Sequence, residues 1–424
     1  MRANELTARL PTTLSGWLAH LEQLHSSAID MGLARVAAVA ERLQLTKPAP
    51  VVVLVGGTNG KGTTCAALEQ LLQAAGQRTA VYASPHLLRY HERLRINGHE
   101  LDDAAHCGAF AAIEAARAEI SLTYFEFGTL AALQLIKEAA VEVAIIEVGL
   151  GGRLDATNIV DPDLSIITTV DLDHQAFLGN DRDSIGFEKA GILRPGRPAV
   201  IGDSEPPATL LARAAELNVD GRWFGRDFAL ETAPDHWTFI SGDQQLAQLP
   251  RPAIPLVNAA VALQALLLLG LLPPLAVVRQ VLAGLRLAGR LQQLGTAPLK
   301  LVDVAHNPHA ARYLATELQR LAAGRRLLAV VGMMADKDLA GVFTPLLPLV
   351  SQWWLVAPAL PRAATTAQLM AALPAGLDVH QAPSVAAGWQ QALAAASATD
   401  VVIGFGSFYT VAEILQAEQG NCGH

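Results

Sequence analysis

The sequence has few cysteines and no excess of basic residues. Its three cysteines are Cys65, Cys107 and Cys422, and no two of them have the spacing of a zinc site or a disulfide framework. Lys and Arg number 31 against 39 Asp and Glu, which gives a formal net charge of -8. We therefore expect a protein of a reducing cytosol, with no broad face for nucleic acid or membranes, which holds any anionic ligand locally.

A hydrophobic run long enough to span a membrane is also lacking. Residues 256–278 are rich in Leu, Ala and Val, but Asn258, Gln264 and Pro273 interrupt them before about 18 apolar residues accumulate. We expect a buried helix that ends at Pro273. Residues 1–20 lack the basic region, apolar core and cleavage site of a signal peptide, so we expect no export.

The hydrophobic pattern predicts more than one α/β domain. From residue 51 onward, short β-branched runs alternate with helical patterns, which is typical of a parallel sheet with helices on both faces. The alternation stops in a glycine-rich passage and then resumes. We predict a first domain at 1–287, a linker at 288–298 and a second domain at 299–424. Aromatic and polar alternation at 223–250 predicts a small antiparallel sheet on the first domain.

A glycine-rich loop, GGTNGKGTT at 56–64, connects the strand pattern VVVLV to an amphipathic helix. Inward-facing backbone N–H groups, a helix N-terminus, Lys61 and the hydroxyl of Thr63 are what a phosphate and its Mg²⁺ need. The loop departs from the common GxxxxGK[ST] form, because Gly62 separates Lys61 from Thr63. We predict a phosphate loop, and the alternative is a glycine-rich turn without a ligand.

Further polar residues follow the ends of predicted strands. Glu147 lies in an apolar run, where a carboxylate is costly unless it is paired or holds a metal, and His174 follows another strand. Alone, each is more typical of a structural polar group; beside a phosphate loop, both become candidate Mg²⁺ ligands. Ser84 alone indicates a Ser-Pro turn, and Lys189 alone indicates a solvated helix residue.

The motifs together are more specific than any one of them. The segments GGTNGKGTT, SPHL, LTYFEFGTLAAL, EVGLGGRLDATN, DLDHQAFLG, EKAGILRPG and DVAHNPHAA stand in an order that resembles the folylpolyglutamate synthase family, its bacterial bifunctional members in particular. The resemblance covers nearly the whole chain. It implies a Mur-ligase-like α/β fold, with a P-loop ATPase-type parallel-sheet domain followed by a smaller Rossmann-like domain, and a site in the cleft between them.

The resemblance also implies site residues. For ATP they are Thr58, Asn59, Gly60, Lys61, Gly62, Thr63, Asn258, Arg290, Asp303 and His306. For two Mg²⁺ ions they are Thr63, Ser84, Glu147 and His174. For a pterin they are Thr123, Tyr124, Phe125, Glu126, Leu154, Asp155 and Ala156. Lys189 matches a lysine carbamylated by CO₂, and Lys61, Lys189, His174 and Arg290 are the expected catalytic residues. Apart from the resemblance, Asn258 could cap its helix and Asp303 could simply end a strand.

The implied reaction is ATP-dependent amide ligation. L-glutamate would be joined to 7,8-dihydropteroate, and to reduced folates, through an acyl phosphate, by a cytoplasmic monomer whose partners are small molecules. Alternatives are a synthase that acts on folates only, a Mur-type ligase for another acid, and a nucleotide-driven switch. A dinucleotide oxidoreductase fits less well, because GLGGR at 149–153 is not GxGxxG.

Overall fold

The computed structural model describes residues 10–421, in which helices and strands alternate. The helices are α1 (Leu14–Leu21), α2 (Ala34–Leu43), α3 (Lys61–Ala74), α4 (Asp103–Arg117), α5 (Tyr124–Ala139), α6 (Gln175–Leu178), α7 (Arg182–Ala190), α8 (Ala208–Glu216), α9 (Leu256–Leu269), α10 (Leu275–Gly284), α11 (Pro308–Leu321), α12 (Leu339–Phe343), α13 (Thr366–Ala371), α14 (Val385–Ala395) and α15 (Phe408–Asn421). The strands are β1 (Val51–Gly56), β2 (Thr79–Tyr82), β3 (Leu94–Ile96), β4 (His99–Glu100), β5 (Val143–Glu147), β6 (Leu164–Ile167), β7 (Pro198–Ile201), β8 (Asp220–Trp223), β9 (Phe228–Thr232), β10 (His236–Ser241), β11 (Gln244–Pro250), β12 (Gln292–Thr296), β13 (Leu299–Asp303), β14 (Leu327–Val331), β15 (Gln352–Leu355), β16 (Val379–Gln381) and β17 (Val401–Phe405).

The chain divides into two compact units. The first consists of residues up to 84, 90–251 and 257–283, and the second of residues 85–89, 252–256 and 284 onward. Each unit is built on a largely parallel sheet, so the predicted α/β fold class is confirmed. The domain limits read from the sequence remain a proposal. Within the predicted linker, β12 is a regular strand rather than coil, because it pairs with β13.

The sheet of the first unit brings the ends of several motif-bearing strands to one edge. Its order is β4-β3-β2-β5-β1-β6-β7-β8, and along this order each strand from β2 to β8 runs parallel to the next. Val55 of β1 lies beside Glu147 of β5, and Gly56 lies beside Ile167 of β6. Parallel strands end at the same edge of a sheet, and ligands bind there in open α/β folds. The candidate residues therefore follow neighbouring strands at one edge.

Aromatic packing supports the helices on one side of this sheet. The rings of Trp17, Phe110 and Phe127, on α1, α4 and α5, lie 5.8 to 6.5 Å apart between centroids. All three side chains are fully buried. Burying side chains of this size stabilises the fold by about 1.5–3 kcal/mol each. This packing holds α5, which begins at the predicted pterin segment.

The small antiparallel sheet predicted at 223–250 is present as β9, β10 and β11. Trp237 is fully buried in it and donates its Nε1 hydrogen to the carbonyl of Pro250 at 3.0 Å. The buried helix expected to end at Pro273 is α9, which ends at Leu269 because Gly270 turns the chain with φ 67°. Among residues 10–421, no helix is both long and apolar enough to cross a membrane.

The second unit has a six-stranded sheet of order β12-β13-β17-β14-β15-β16. Only the β12–β13 pair is antiparallel. Side chains pack on both faces, with Trp353 in one cluster and Trp389 in the other. Strands buried on both faces read as continuous apolar runs, and VVIGF at β17 is buried along its whole length.

Candidate functional site

The glycine-rich loop has the shape of a phosphate loop. Gly60 precedes α3 with φ 87°, a conformation that disfavours side chains, and Gly57 has φ 143°. A Cβ on Gly57 would lie 1.9 Å from Thr168 Oγ1. Lys61 folds back over the loop and donates to the carbonyls of Gly57 at 3.0 Å and Thr58 at 3.4 Å. The lysine charge and the N-terminus of α3 therefore lie on the same loop.

Residues that follow β6 hold this loop in place. The amide of Thr58 donates to the carbonyl of Thr169 at 2.8 Å, and the amide of Asn59 donates to Thr169 Oγ1 at 3.0 Å. Thr168 Oγ1 donates to the carbonyl of Asn59 at 2.6 Å. The Thr58 hydroxyl donates to the carbonyl of Asp171 at 3.0 Å. The loop is thereby joined to the segment that leads to His174.

Asn258, on α9, lies against the start of α3. Its Nδ2 donates to Thr63 Oγ1 at 2.8 Å, and Thr63 Oγ1 donates to the carbonyl of Gly60 at 3.0 Å. Asn258 and Thr63 are both buried. The ATP contact expected for Asn258 remains a prediction. Its observed contact is with a residue expected to bind Mg²⁺ at the phosphates.

Three of the four predicted metal ligands, Thr63, Ser84 and Glu147, are oxygen donors, and one of these three is a carboxylate. Glu147 is only 6% exposed at the end of β5, and Ser84 follows the neighbouring β2. Mg²⁺ is commonly held by one or two carboxylates together with substrate phosphates and water, so Thr63, Ser84 and Glu147 fit it. Among residues 10–421 there is no group of three or more His, Cys, Asp or Glu side chains that could hold a metal ion.

His174 differs from the other candidate ligands because it is exposed. It adopts φ 50° and ψ 39°, in the left-handed region, and its side chain is 45% exposed. Its amide donates to the carboxylate of Asp173 at 2.8 Å. A second Mg²⁺ held by Glu147 and His174 remains a prediction.

Lys189, on α7, is buried and lies near Lys61. The interpretation of Lys189 as a solvated helix residue is therefore wrong. Only 3% of its surface is exposed. Burial and the positive charge of Lys61 lower the pKa of Lys189 to about 7, against the attraction of Asp173 and Asp155. Near neutral pH a substantial fraction of this amine is uncharged. An uncharged amine can react with CO₂, whereas an ammonium cannot.

Two of the predicted pterin residues cap α5. Thr123 Oγ1 accepts from the amide of Glu126 at 3.2 Å, and Glu126 Oε2 accepts from the amide of Thr123 at 2.7 Å. The other oxygen of Glu126 accepts from Arg35 at 3.0 Å. This capping box starts α5 at Tyr124. Any contact of Thr123 or Glu126 with a pterin remains a prediction.

The other predicted pterin residues surround the loop after β5. Phe125 stacks on Tyr82 with ring centroids 6.4 Å apart, and a Cβ on Gly149 would lie 2.5 Å from Phe125 Cζ. The carboxylate of Asp155 accepts from the amides of Leu150 at 2.7 Å and Thr157 at 2.9 Å. Burial raises the pKa of Asp155. Asp155 thus shapes the loop on which Phe125 packs.

The remaining members of the pterin set lie beside these. Tyr124 has the guanidinium of Arg93 5.6 Å from its ring centroid. Ala156 is buried and Leu154 is half-buried, on either side of Asp155. The structure therefore collects the segments 123–126 and 154–156 in the first unit around one loop.

In the second unit, Phe408 brings two predicted nucleotide residues together. The Cζ of Arg290 lies 5.1 Å from the Phe408 ring centroid, and the ring of His306 lies 6.4 Å from it. His306 Nδ1 donates to the carbonyl of Val304 at 2.9 Å. The carboxylate of Asp303 accepts from Leu291 and Ala305 amides, each at 2.8 Å. Burial raises the pKa of Asp303 although Arg290 opposes this shift.

The sequence analysis did not identify the capping box of α5 or an ion pair between Arg182 and Asp203. The spacing of Thr123 and Glu126 is a capping-box pattern that would have predicted the start of α5. This ion pair joins Arg182, at the start of α7, to Asp203, which follows β7; the two residues are 21 positions apart, and the pair has no local signal.

The family models that match this chain describe Mur ligases. The model of the Mur ligase middle domain matches residues 55–227, which include the phosphate loop and Lys189. The model of the Mur ligase glutamate ligase domain matches residues 289–408, which include Arg290, Asp303 and His306. The fold and site thus define an ATP-dependent ligase of the Mur type.

The similar proteins narrow this class to one family. The dihydrofolate synthase/folylpolyglutamate synthase of Escherichia coli strain K12 is 47% identical over 410 residues, covering 97% of this chain and 96% of that protein. E. coli FolC in complex with DHPP and ADP is 46% identical with a TM-score of 0.95, covering 98% of this chain and 100% of that chain. A crystal structure of a bifunctional folylpolyglutamate synthase/dihydrofolate synthase with Mn, AMPPNP and L-glutamate bound is 48% identical, with a TM-score of 0.91. The match covers 98% of this chain and 100% of that chain. The chain belongs to the dihydrofolate synthase/folylpolyglutamate synthase family.

Proposed function

We propose that this protein adds L-glutamate to 7,8-dihydropteroate, giving dihydrofolate, and to reduced folates, giving folylpolyglutamates. The observation that carries this function is the phosphate loop beside Glu147, in a chain that matches bifunctional relatives over nearly its whole length. Each reaction consumes ATP, and each joins a carboxylate to the amine of glutamate. One site can therefore serve both acceptors.

The chain's own residues account for the first step. The carboxylate of the acceptor attacks the γ-phosphorus of ATP, ADP leaves, and an acyl phosphate forms. Lys61, which now donates to loop carbonyls, would turn toward the phosphates, and the amides at the start of α3 would bind their oxygens. Arg290, Asp303 and His306 are the nucleotide contacts that we propose in the second unit. A guanidinium such as Arg290 suits phosphate oxygens because it donates two parallel hydrogen bonds.

The second step forms the amide. The amine of L-glutamate attacks the acyl carbon, and the tetrahedral intermediate expels phosphate. Relatives with ADP, or with Mn and AMPPNP bound, support the use of ATP and a divalent metal. Mg²⁺ would supply positive charge at the transferring phosphoryl group, with Thr63, Ser84 and Glu147 as proposed ligands, and His174 as a ligand of a second ion.

Lys189 is the residue that we propose to be carbamylated. Its burial and the positive charge of Lys61 disfavour the ammonium and lower the pKa of Lys189. Addition of CO₂ to the neutral amine gives a carbamate and releases one proton. The ammonium of Lys189 is repelled by the positive charge of Lys61, whereas a carbamate on Lys189 is negatively charged and is attracted by it. It would also add a second anionic oxygen donor beside the one carboxylate of the proposed metal set.

For the acceptor, we propose that the pterin lies at Phe125, whose ring offers a stacking face. Thr123, Tyr124, Glu126, Leu154, Asp155 and Ala156 are the other proposed contacts. Asp155 and Glu126 already hold the backbone around this point, so they would shape the pocket as well as line it. We also propose that the protein is a monomer and that it acts in the cytoplasm. The free thiols of Cys65 and Cys107 are consistent with a reducing compartment.

Mass spectrometry of the products tests this function. The purified protein would receive ATP, Mg²⁺ and L-glutamate, with 7,8-dihydropteroate in one tube and a reduced folate in the other. We expect one glutamate to be added in both. Addition to the folate alone would reduce the function to folylpolyglutamate synthesis. ATP hydrolysis without addition in either tube would instead indicate a ligase for another acid.

A further inference from the structure

Arg182 and Asp203 form an ion pair. Together they bind the backbone amide and the backbone carbonyl of each of two other residues, Val170 and Glu205. Asp203 accepts from the amides of Val170 at 2.7 Å and Glu205 at 2.9 Å. Arg182 donates to the carbonyls of the same two residues, at 2.8 Å through Nε to Val170 and at 2.9 Å through NH2 to Glu205. The two side chains also bond to each other at 3.0 Å. We call this arrangement the Arg182–Asp203 clamp.

The clamp closes the loop that carries His174. Val170 follows β6 and Arg182 begins α7, so the bond between them joins the two ends of the segment 170–182. Next to Val170, the amide of Asp171 donates to the Thr58 hydroxyl of the phosphate loop at 3.0 Å. The clamp is therefore one residue away from the contact that joins this segment to the phosphate loop.

The clamp also anchors the helix that carries Lys189. Arg182 and Lys189 are seven residues apart on α7, which is about two turns, so they lie on the same face of the helix. Asp203 follows β7, the strand beside β6 in the sheet. Arg182 thus fixes the first turn of α7 against the ends of two strands, and the rigid helix sets where Lys189 stands.

We propose that Arg182 and Asp203 are positioning residues for the metal side of the site, which set His174 and Lys189 relative to the phosphate loop without touching substrate. This inference rests on the proposed function, because it takes His174 and Lys189 as metal-side groups. His174 occupies a left-handed backbone conformation, which costs free energy and persists only where surrounding contacts fix it. The clamp and the Asp171–Thr58 contact supply that fixation.

The geometry requires an arginine. Arg182 uses Nε for one carbonyl and NH2 for another carbonyl and the carboxylate. A lysine has one nitrogen at a single point and cannot reach both carbonyls in this arrangement. Arg182→Lys should therefore keep the charge pair but lose one of the backbone contacts, and its effects should lie between those of the wild type and Arg182→Gln.

Two readouts on the full-length protein test the clamp. The first is hydrogen exchange of residues 171–178 in the metal-free protein, which we expect to accelerate in Arg182→Gln and Asp203→Asn. The second is the dissociation constant of Mn²⁺ in the presence of AMPPNP, which we expect to rise by about 10-fold or more, as for other residues that orient metal ligands. In both readouts, the double variant should change no more than the more strongly affected single variant, because each single substitution already disrupts the same clamp.

Arg197→Gln is the matched control. Arg197 is also an arginine of the first unit, and it pairs with Asp161 and Asp163 at 3.9 and 3.7 Å. We expect it to change neither readout. If Arg182→Gln does not fold, Arg182→Lys carries the test.

Two results would overturn the proposal. One is a folded Arg182→Gln or Arg182→Lys with wild-type exchange at 171–178. The other is lower thermal stability with unchanged Mn²⁺ affinity, which would indicate a purely structural ion pair. Failure of the wild type to ligate glutamate would refute the proposed function instead, and the exchange experiment would still decide whether the clamp holds the segment.

Discussion

The side-chain amide of Asn258 donates to the hydroxyl of Thr63 at 2.8 Å and packs against Gly60, at the first turn of the helix that follows the phosphate loop. A Cβ on Gly60 would lie 2.6 Å from Asn258 Nδ2. A glycine is therefore needed at position 60 for two reasons: the backbone has a positive φ, and a Cβ would occupy the space of the Asn258 side chain.

Replacing Gly60 with alanine should abolish tight nucleotide binding. The left-handed backbone at φ 87° costs about 1–2 kcal/mol for a residue with a Cβ, and the new methyl group also displaces Asn258 from Thr63. We expect the dissociation constant of ATP, measured by calorimetry, to rise by more than about 10-fold. Thermal unfolding should show that the protein remains folded.

Gly76→Ala is the control for this change. Gly76 has nearly the same backbone angle, φ 84°, but a Cβ at this position would meet no atom within 4 Å. It should show the loss of stability from the backbone alone, with ATP affinity as in the wild type. Equal affinity losses in the two variants would show that the space at Gly60 is unimportant.

Lys189 should carry a carbamate whose occupancy rises with pH. Because burial and Lys61 lower its pKa to about 7, the neutral amine becomes the main form as the pH rises through that value. With ¹³C-labelled bicarbonate, we expect a carbamate carbon signal that grows from pH 6 to pH 8 and is missing in Lys189→Gln. Lys189→Glu, which supplies a permanent carboxylate, should retain more ligase activity than Lys189→Gln. A wild-type protein without the signal at pH 8 would rule out the modification.

Phe125→Ala should weaken binding of the pterin acceptor and spare ATP. The ring of Phe125 stacks on Tyr82 and covers Gly149, so its removal opens the place proposed for the pterin. We expect KM for dihydropteroate to rise by about 10-fold, which is the effect of losing one aromatic stacking contact of about 1.4 kcal/mol. KM for ATP is the internal control. A change in KM for ATP, with KM for dihydropteroate unchanged, would indicate that the pterin does not bind at Phe125.

His106 should make the fold less stable in acid. Burial and neighbouring His91 lower the pKa of His106 to about 4 from 6.5, although Asp103 and Asp102 oppose the shift. The unfolded chain therefore takes up this proton at a higher pH than the folded one, and stability is lost as the pH falls from 6.5 toward 4. Between pH 7 and pH 5 the loss is about 2 kcal/mol at most.

Urea unfolding of His106→Phe checks this assignment. The aromatic replacement keeps the ring contacts with Tyr90 and Phe110 and removes the titrating group. The variant should lose less stability than the wild type between pH 7 and pH 5. The same loss in both proteins would attribute the acid sensitivity to other groups.

The strands were predictable because they are buried on both faces and read as apolar runs. The strand pattern VVVLV before the glycine-rich loop corresponds to β1, which spans Val51–Gly56. The phosphate loop was predictable because its glycines, lysine and threonines are contiguous. Apolar spacing does not indicate the start of α5 at Tyr124, because its first turn is set by the side chains of Thr123 and Glu126.

The contacts that build the site across the chain were not predictable from spacing. Asn258 donates to Thr63 across 195 residues, and Arg182 pairs with Asp203, which follows β7. Such pairs depend on strand order, which the sequence pattern leaves open. The burial of Lys189 was missed for a similar reason. A lysine beside glutamate on a short helix is typical of a solvated face, and only the tertiary packing encloses it.

The partners of the phosphate loop emerge from the ribosome long after the loop itself. Thr168, which bonds to Gly56, comes 112 residues later, and Asn258 comes 195 residues after Thr63. A growing chain therefore carries the complete glycine-rich motif through much of its synthesis without the side chains that give it shape. The glycine-rich loop therefore gains these contacts only late in translation, and we expect a nascent chain that ends before residue 168 to bind no ATP.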